Sequence, residues 1–331
     1  MMQETNIMTQ PKLKKRGSID TEQDIVKTRL VIGDIHGHIE PFKSIYEKED
    51  PDDVIILGDY FDNFHGSDKE IVDCFKSILS MQKKHKKGEF ILLIGNHDFH
   101  YMDLTEAYSG KRKSYTLSVS MMLDKCMEDG LLKWVYVDSK NKTVYSHAGI
   151  TNKWLAENRL FISDLNDLND IDSRKFRFTF EGDETGYETG YGTGPFASPL
   201  WVRPDTLVKD MYIDDGGSKW TQIVGHTHGK AKTLMADETW IYGCTAYINK
   251  PGTEEEFVYM PILHVIDSLP DYYIVEKLNS NDELLSREVK STKVTLDPLV
   301  NSQIILKKAT ERDEDIKKLA EACGIKLSTP I

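Results

Sequence analysis

Five times along this chain a short apolar run ends in a small residue, and a side chain of metal-ligand type follows. Leu30-Val31-Ile32 runs into Gly33-Asp34-Ile35-His36-Gly37, and Val54-Ile55-Ile56-Leu57 into Gly58-Asp59-Tyr60-Phe61-Asp62. Phe90 to Ile94 leads to Gly95-Asn96-His97-Asp98, Thr143–Tyr145 to Ser146-His147-Ala148-Gly149, and Gln222–Val224 to Gly225-His226-Thr227-His228-Gly229. Apolar runs this short, bounded by turn residues, suit fully buried strands. Between the first two, Pro41 to Asp50 reads as a helix with Pro in its first turn. Residues 68–86 carry Ile71, Val72, Phe75, Ile78 and Leu79 at helical spacing. The order is β-α-β-α-β, which predicts a parallel sheet with right-handed crossovers. A further helix is expected over 112–129. Trp240–Ala246, Phe257–Ile266 and Tyr272–Lys277 read as strands of a second sheet. The expected fold is an α/β sandwich of two sheets flanked by helices.

The chain of 331 residues, 39% hydrophobic and 10% aromatic, is long enough to bury a large core. Residues 1–27 are polar, with a basic run at Lys12, Lys14, Lys15 and Arg16, and read as a disordered arm without the apolar core of a signal peptide. The main domain is expected over 28–285. A C-terminal extension follows over 286–331, with an amphipathic helix at 310–323 carrying Ile316, Leu319 and Ala320 on one side. The Gly/Tyr/acidic stretch 181–195 reads as a surface loop or a lid. No run approaches the roughly 18 apolar residues of a membrane-spanning helix. Cys74, Cys126, Cys244 and Cys323 are widely spaced with no CxxC, as expected of reduced thiols in a cytoplasmic protein. Net charge is −12, which argues against extended contact with duplex nucleic acid. It leaves room for an anion bound through metal ions.

In open α/β sheets ligands gather outside the carboxyl ends of the strands. Five ligand-bearing strand ends in one such unit point to a metal site. The candidate ligands are Asp34, His36, Asp59, Asn96, His147, His226 and His228. Seven groups exceed the needs of one tetrahedral ion. They suit two ions about 3.5–4 Å apart that share a carboxylate. Imidazole, carboxylate and amide donors without thiolate fit Mn, Fe, Zn or Ni, with Mn favoured.

The series GDIHG, GDYFD, GNHD, SHAG, GHTH resembles the calcineurin-like metallophosphoesterase superfamily, over about residues 28–250. Within it the chain is similar to the phosphoprotein phosphatase branch, which includes bacterial and phage protein phosphatases and bis(5′-nucleosyl)-tetraphosphatases. The Gly after His36 and the segment Ser198-Pro199-Leu200-Trp201-Val202-Arg203 carry that likeness. Three features depart from it. Asn63 stands where the branch has a phosphate-binding Arg, GNHD replaces GNHE, and GHTH supplies a second His.

The resemblance implies the four-layer fold of that superfamily. It also implies that Asp34, His36 and Asp59 hold one ion, with His228 as an addition, and that Asn96, His147 and His226 hold the other, with Asp59 bridging. His97 would face the leaving group, with Asp62 orienting it; Asp62 also reads as an N-cap for the next helix. Arg203 would supply the phosphate contact that Asn63 cannot, beside Asn96 and His97. Lys111-Arg112-Lys113 is a weaker candidate for a second phosphate or a nucleic-acid strand. The expected activity is hydrolysis of phosphate monoesters by metal-activated hydroxide, with a phosphoprotein as the leading substrate. A nucleotide or nucleic-acid phosphoesterase is the alternative, and a non-catalytic metal-binding scaffold a remote one.

Overall fold

The computed structural model describes residues 26–61, 67–102, 117–158, 165–170, 192–194, 196–211, 220–227, 232–235, 240–242, 246–248, 261–266 and 272–292. Among these, β1 (Lys27–Ile32), β2 (Asp53–Ile56), β3 (Phe90–Leu93) and β4 (Leu132–Lys133) lie side by side and parallel. Helices α1 (Ile39–Glu49) and α2 (Asp68–Lys84) make the expected crossovers, and Pro41 sits in the first turn of α1. A further helix spans Leu117–Glu128.

The second sheet is built on β5 (Val135–Asp138), β6 (Thr143–Ser146), β7 (Thr221–Val224), β8 (Lys232–Met235), β9 (Trp240–Tyr242) and β11 (Pro261–Val265). Its order is β5-β6-β7-β11-β8-β9, with β6, β7 and β11 parallel.

The downstream strands divide between the sheets rather than all joining the second. β12 (Tyr272–Leu278) pairs antiparallel with β1 along its whole length, from Lys27↔Leu278 to Ile32↔Tyr273. Beyond it lie β13 (Leu284–Ser291) and β10 (Ala246–Ile248), so the first sheet runs β10-β13-β12-β1-β2-β3-β4. The physical reason lies in β12 itself. Tyr273 and Val275 pack on the helix side of the sheet and Ile274 on the inner side, so both faces are buried. Such a strand belongs in the interior of a sheet, where it also covers the free edge of β1. Trp240–Ala246 is likewise not one strand: β9 and β10 pair in different sheets. β13 crosses residue 285, where the sequence reading ends the main domain. The arm through residue 25, most of the 181–195 stretch, Lys111 to Lys113, Cys244, Cys323 and the 310–323 segment lie outside the described residues.

Alternation along the strands makes the layers. Val31, Ile55, Leu57 and Ile91 point inward and meet Tyr145 and Ile223 of the second sheet. Leu30, Ile32, Val54, Ile56 and Leu92 point outward onto Phe42 and Ile45 of α1 and Phe75 and Ile78 of α2. Val224, Leu263 and Val265 cover the far side of the second sheet beneath Leu207 and Met211. Ser67 caps α2, accepting from the Glu70 N–H while the Glu70 carboxylate accepts from the Ser67 N–H. That cap corrects the reading of Asp62 as the N-cap. Cys74 and Cys126 are buried free thiols, and burial pushes Cys74 up to about 12. Among the described residues no helix is long and apolar enough to cross a membrane.

One charged cluster lies between the sheets at the amino ends of the parallel strands. Glu276, fully buried, accepts from Arg29 Nη1 at 3.3 Å, Tyr145 Oη at 2.7 Å and Arg287 Nε at 2.6 Å. Arg29 also donates to Asp138 at 2.8 Å. The opposite, carboxyl end of the same strands is where the ligand-bearing turns meet.

Candidate metal centre

β1, β2 and β3 of one sheet and β6 and β7 of the other all end at this place. Each is followed by its glycine or serine and then by a polar side chain turned inward. Asp34, Asp59 and His147 are buried, and each offers a ligand atom within 4.8 Å of the others. Asp59 Oδ2 lies 3.6 Å from His36 Nε2 and 3.5 Å from His147 Nε2. His36 Nε2 is 3.9 Å from Asp34 Oδ2. His147 Nε2 and His226 Nδ1 lie 2.8 and 3.0 Å from Asn96 Oδ1. Six of the seven candidate ligands therefore share one buried cluster, with Asp59 in the middle. His228 and Asp62 lie outside the described residues.

Each imidazole is held by a backbone carbonyl on its other side. His36 Nδ1 donates to Phe61 O at 3.0 Å, His147 Nδ1 to Leu57 O at 3.0 Å, and His226 Nε2 to Trp201 O at 3.0 Å. Those bonds fix the tautomers, and the remaining ring nitrogens turn lone pairs into the cluster, those of His36 and His147 toward Asp59 and that of His226 toward Asn96. This is how protein metal sites orient histidine. Burial also keeps His147 and His226 neutral. It lowers His147 to about 3 and His226 well below its ordinary value, and the positive charge of Arg203 acts in the same direction on both. With these tautomers two imidazole lone pairs converge on the amide oxygen of Asn96 beside two buried carboxylates. Such a donor set, all lone pairs, fits divalent cations.

The turns are tight because candidate ligands that follow other strands pack onto the glycines. A Cβ on Gly95 would stand 2.1 Å from Asp59 Oδ1, and one on Gly225 would stand 2.2 Å from Asp34 Oδ1. Glycine is required there for close approach. Positive φ falls on Gly58 at 115° and also on three of the candidate ligands: His36, Asp59 and His226 have φ of 44°, 53° and 64°. For residues other than glycine each such conformation costs about 1–3 kcal/mol and persists only where neighbouring structure enforces it.

The residues at the rim are placed by the same turns. The His97 N–H donates to Asp59 Oδ1 at 2.9 Å, and its ring meets that of His36 edge-on at 5.1 Å between centroids. His97 is half-buried, so its ring borders the cluster and reaches solvent. Arg203 Nη1 donates to His226 O at 3.1 Å and Thr227 Oγ1 at 3.4 Å, which brings the guanidinium to the cluster's edge. Trp201 stands edge-on to His226 at 5.6 Å.

Sequence reasoning missed Asp98. Its fully buried carboxylate accepts four backbone N–H bonds: Asp59 and Gly95 on Oδ2, Tyr60 and Phe61 on Oδ1. Burial raises this carboxyl, the N–H donors lower it, and the balance leaves it raised to about 7. The available signal was an acid at the third position of the short helix α3 (Asn96–Phe99), where a side chain reaches back to the helix-start N–H.

Comparison with known proteins agrees with this geometry. The chain is 29% identical over 139 residues to "Bis(5'-nucleosyl)-tetraphosphatase, symmetrical" of Methylobacillus flagellatus, an alignment covering 40% of this chain and 46% of that protein. This chain thus spans about half the length of that relative. Residues 28–230, from β1 through the strand-end turn that carries His226, match the family described as calcineurin-like phosphoesterase. With five ligand-bearing strand ends meeting between two mixed sheets inside that span, the chain belongs to the calcineurin-like phosphoesterase family.

Proposed function

We propose that this chain is a phosphoric ester hydrolase working with two divalent cations, with a phosphate monoester on a protein side chain as its leading substrate class. The observation that carries the reading is the position of Asp59 Oδ2, within 3.6 Å of both His36 Nε2 and His147 Nε2. One carboxylate oxygen between two imidazole lone pairs is the arrangement expected of a bridging ligand. Asp34, His36 and Asp59 would hold one cation. Asn96, His147 and His226 would hold the other. Asp62 as partner of His97, and His228 as a further ligand, belong to the proposal on sequence grounds alone. A bound pair of this kind would supply a metal-activated water as nucleophile and would neutralise charge on phosphate oxygens.

The chain's own residues do the rest. Phe61, Leu57 and Trp201 carbonyls hold the three imidazoles in the tautomers that ligation needs. His97, as imidazolium, delivers a proton from its ring to the departing ester oxygen, which an alkoxide leaving group requires. Arg203 steadies a phosphate oxygen from the rim. A guanidinium suits that task through its planar set of donors. Neither role calls for a covalent intermediate on the protein.

A second reading has one observation in its favour: the Methylobacillus relative is named for a dinucleoside tetraphosphate substrate. A panel separates the two. It comprises a phosphoserine peptide, diadenosine tetraphosphate, a cyclic nucleotide and an end-phosphorylated oligonucleotide, each with Mn, Ni, Zn and Mg in turn. Fastest turnover of the phosphopeptide supports the leading reading. Fastest turnover of the tetraphosphate replaces it with the second, and inertness toward all four overturns both.

A further inference from the structure

The segment Asp59 to Phe61 is the crossroads of one half of the cluster. Ile35 N–H and His36 N–H both donate to Asp59 O, at 3.1 and 2.7 Å, and Gly37 N–H donates to Tyr60 O at 3.1 Å. His36 Nδ1 donates to Phe61 O. Two candidate ligands therefore depend on these three residues: Asp59 itself, and His36 through its backbone and its ring. Yet the segment begins with Asp59 in a left-handed conformation, which is sterically costly for an L-residue.

Asp98 supplies the hold. Its Oδ2 accepts from Asp59 N–H at 2.8 Å, and its Oδ1 from Tyr60 N–H at 2.8 Å and Phe61 N–H at 3.2 Å. The fourth bond, from Gly95 N–H at 2.9 Å, lies within the turn that carries Asn96 and Asp98, so the other three are what tie the Asp59 loop to that turn. The clasp is reciprocal, because the Asp59 carboxylate accepts from His97 N–H. Three consecutive N–H groups on one carboxylate leave the loop a single geometry, with Asp59 Oδ2 facing both imidazoles.

We propose that Asp98 is the positioning residue for the shared ligand Asp59, joining the two halves of the metal centre without touching either ion. This rests on the two-cation reading above. Asp98→Asn tests it, because the amide keeps the shape but turns a donor toward two of the four N–H groups. The assay is Mn2+ titration followed by electron paramagnetic resonance, with thermal unfolding of the metal-free protein alongside. Wild type is expected to bind two Mn2+ and show an exchange-coupled spectrum. In Asp98→Asn the affinity for the second Mn2+ falls by about tenfold or more, the scale of an outer-shell ligand partner. Its spectrum becomes that of isolated Mn2+, while the metal-free protein stays folded. Asp98→Glu keeps both acceptor oxygens and recovers affinity relative to Asp98→Asn. Wild-type affinity and coupling in Asp98→Asn overturn the proposal. So does a metal-free Asp98→Asn that is unfolded, since Asp98 would then be a stability residue. A wild type that never binds two Mn2+ removes the two-cation reading itself, and the inference with it.

Discussion

Gly95→Ala separates close approach from backbone conformation as the reason for glycine beside the metal centre. Gly95 has φ of −103°, which alanine adopts without strain. The added Cβ would nevertheless meet Asp59 Oδ1 at 2.1 Å and Asp59 N at 2.4 Å, where ordinary contact begins near 3.4 Å. The Asp59 carboxylate must then retreat by roughly 1.3 Å, and misplacement on the 1 Å scale costs about 100-fold in rate. The expected result is a fall of about 100-fold or more in kcat/KM on p-nitrophenyl phosphate, with weaker Mn2+ binding. Gly130→Ala is the opposite case. Gly130 has φ of +69° but nothing within 4 Å of a Cβ, in the turn before β4. It should lose about 1 kcal/mol of stability from the left-handed backbone and keep full activity. Wild-type kcat/KM and Mn2+ affinity in Gly95→Ala would refute the packing argument.

Three further outcomes follow from other parts of the molecule. His97→Ala should retain its metal and lose about 10²–10⁴-fold on alkyl phosphates, with a much smaller loss on p-nitrophenyl phosphate, whose leaving group barely needs a proton; equal losses on both would remove His97 from the acid role. Glu276→Gln leaves Arg29 and Arg287 without their shared counter-charge and should cost about 3–5 kcal/mol in a urea titration; a loss below about 1 kcal/mol would show the cluster to be dispensable. Acid should destabilise the metal-free protein through histidines buried neutral. His147 is lowered to about 3, and burial holds His226 and His264 well below their ordinary value. Below the ordinary pKa of about 6.5 the unfolded chain takes up protons that the folded chain refuses, so stability falls as pH falls, by about 1.4 kcal/mol per pH unit for each such histidine, with Asp98, raised to about 7, offsetting one of them. A flat stability profile from pH 7 to 4 would contradict that burial.

Much of this architecture is legible in the residues. Apolar runs closed by Gly-Asp, Gly-Asn-His or Gly-His mark buried strands whose ends carry the chemistry, and β1, β2, β3, β6 and β7 lie where those runs do. Asp34, His36, Asp59, Asn96, His147 and His226 come together as their shared position at strand ends implies. What escaped the reading is tertiary. A backbone carbonyl has no letter in a sequence, so the acceptors Phe61 O, Leu57 O and Trp201 O could not be named. The register of β12 against β1 joins residues more than 240 positions apart and depends on which edge is free. Asp98 follows His97 in plain view, but its four N–H donors come from two different turns. Nor does a sequence show that Gly95 and Gly225 make room for the carboxylates that follow β2 and β1.

The central claim is that two cations share Asp59, and metal content measured against turnover in Asp59→Asn tests it most directly. Wild type, reconstituted with Mn2+ and freed of excess, should carry two ions per chain and hydrolyse phosphate esters. Asp59→Asn should carry one ion or none and show no turnover above background. Two tightly held ions and normal hydrolysis in that variant would contradict the account.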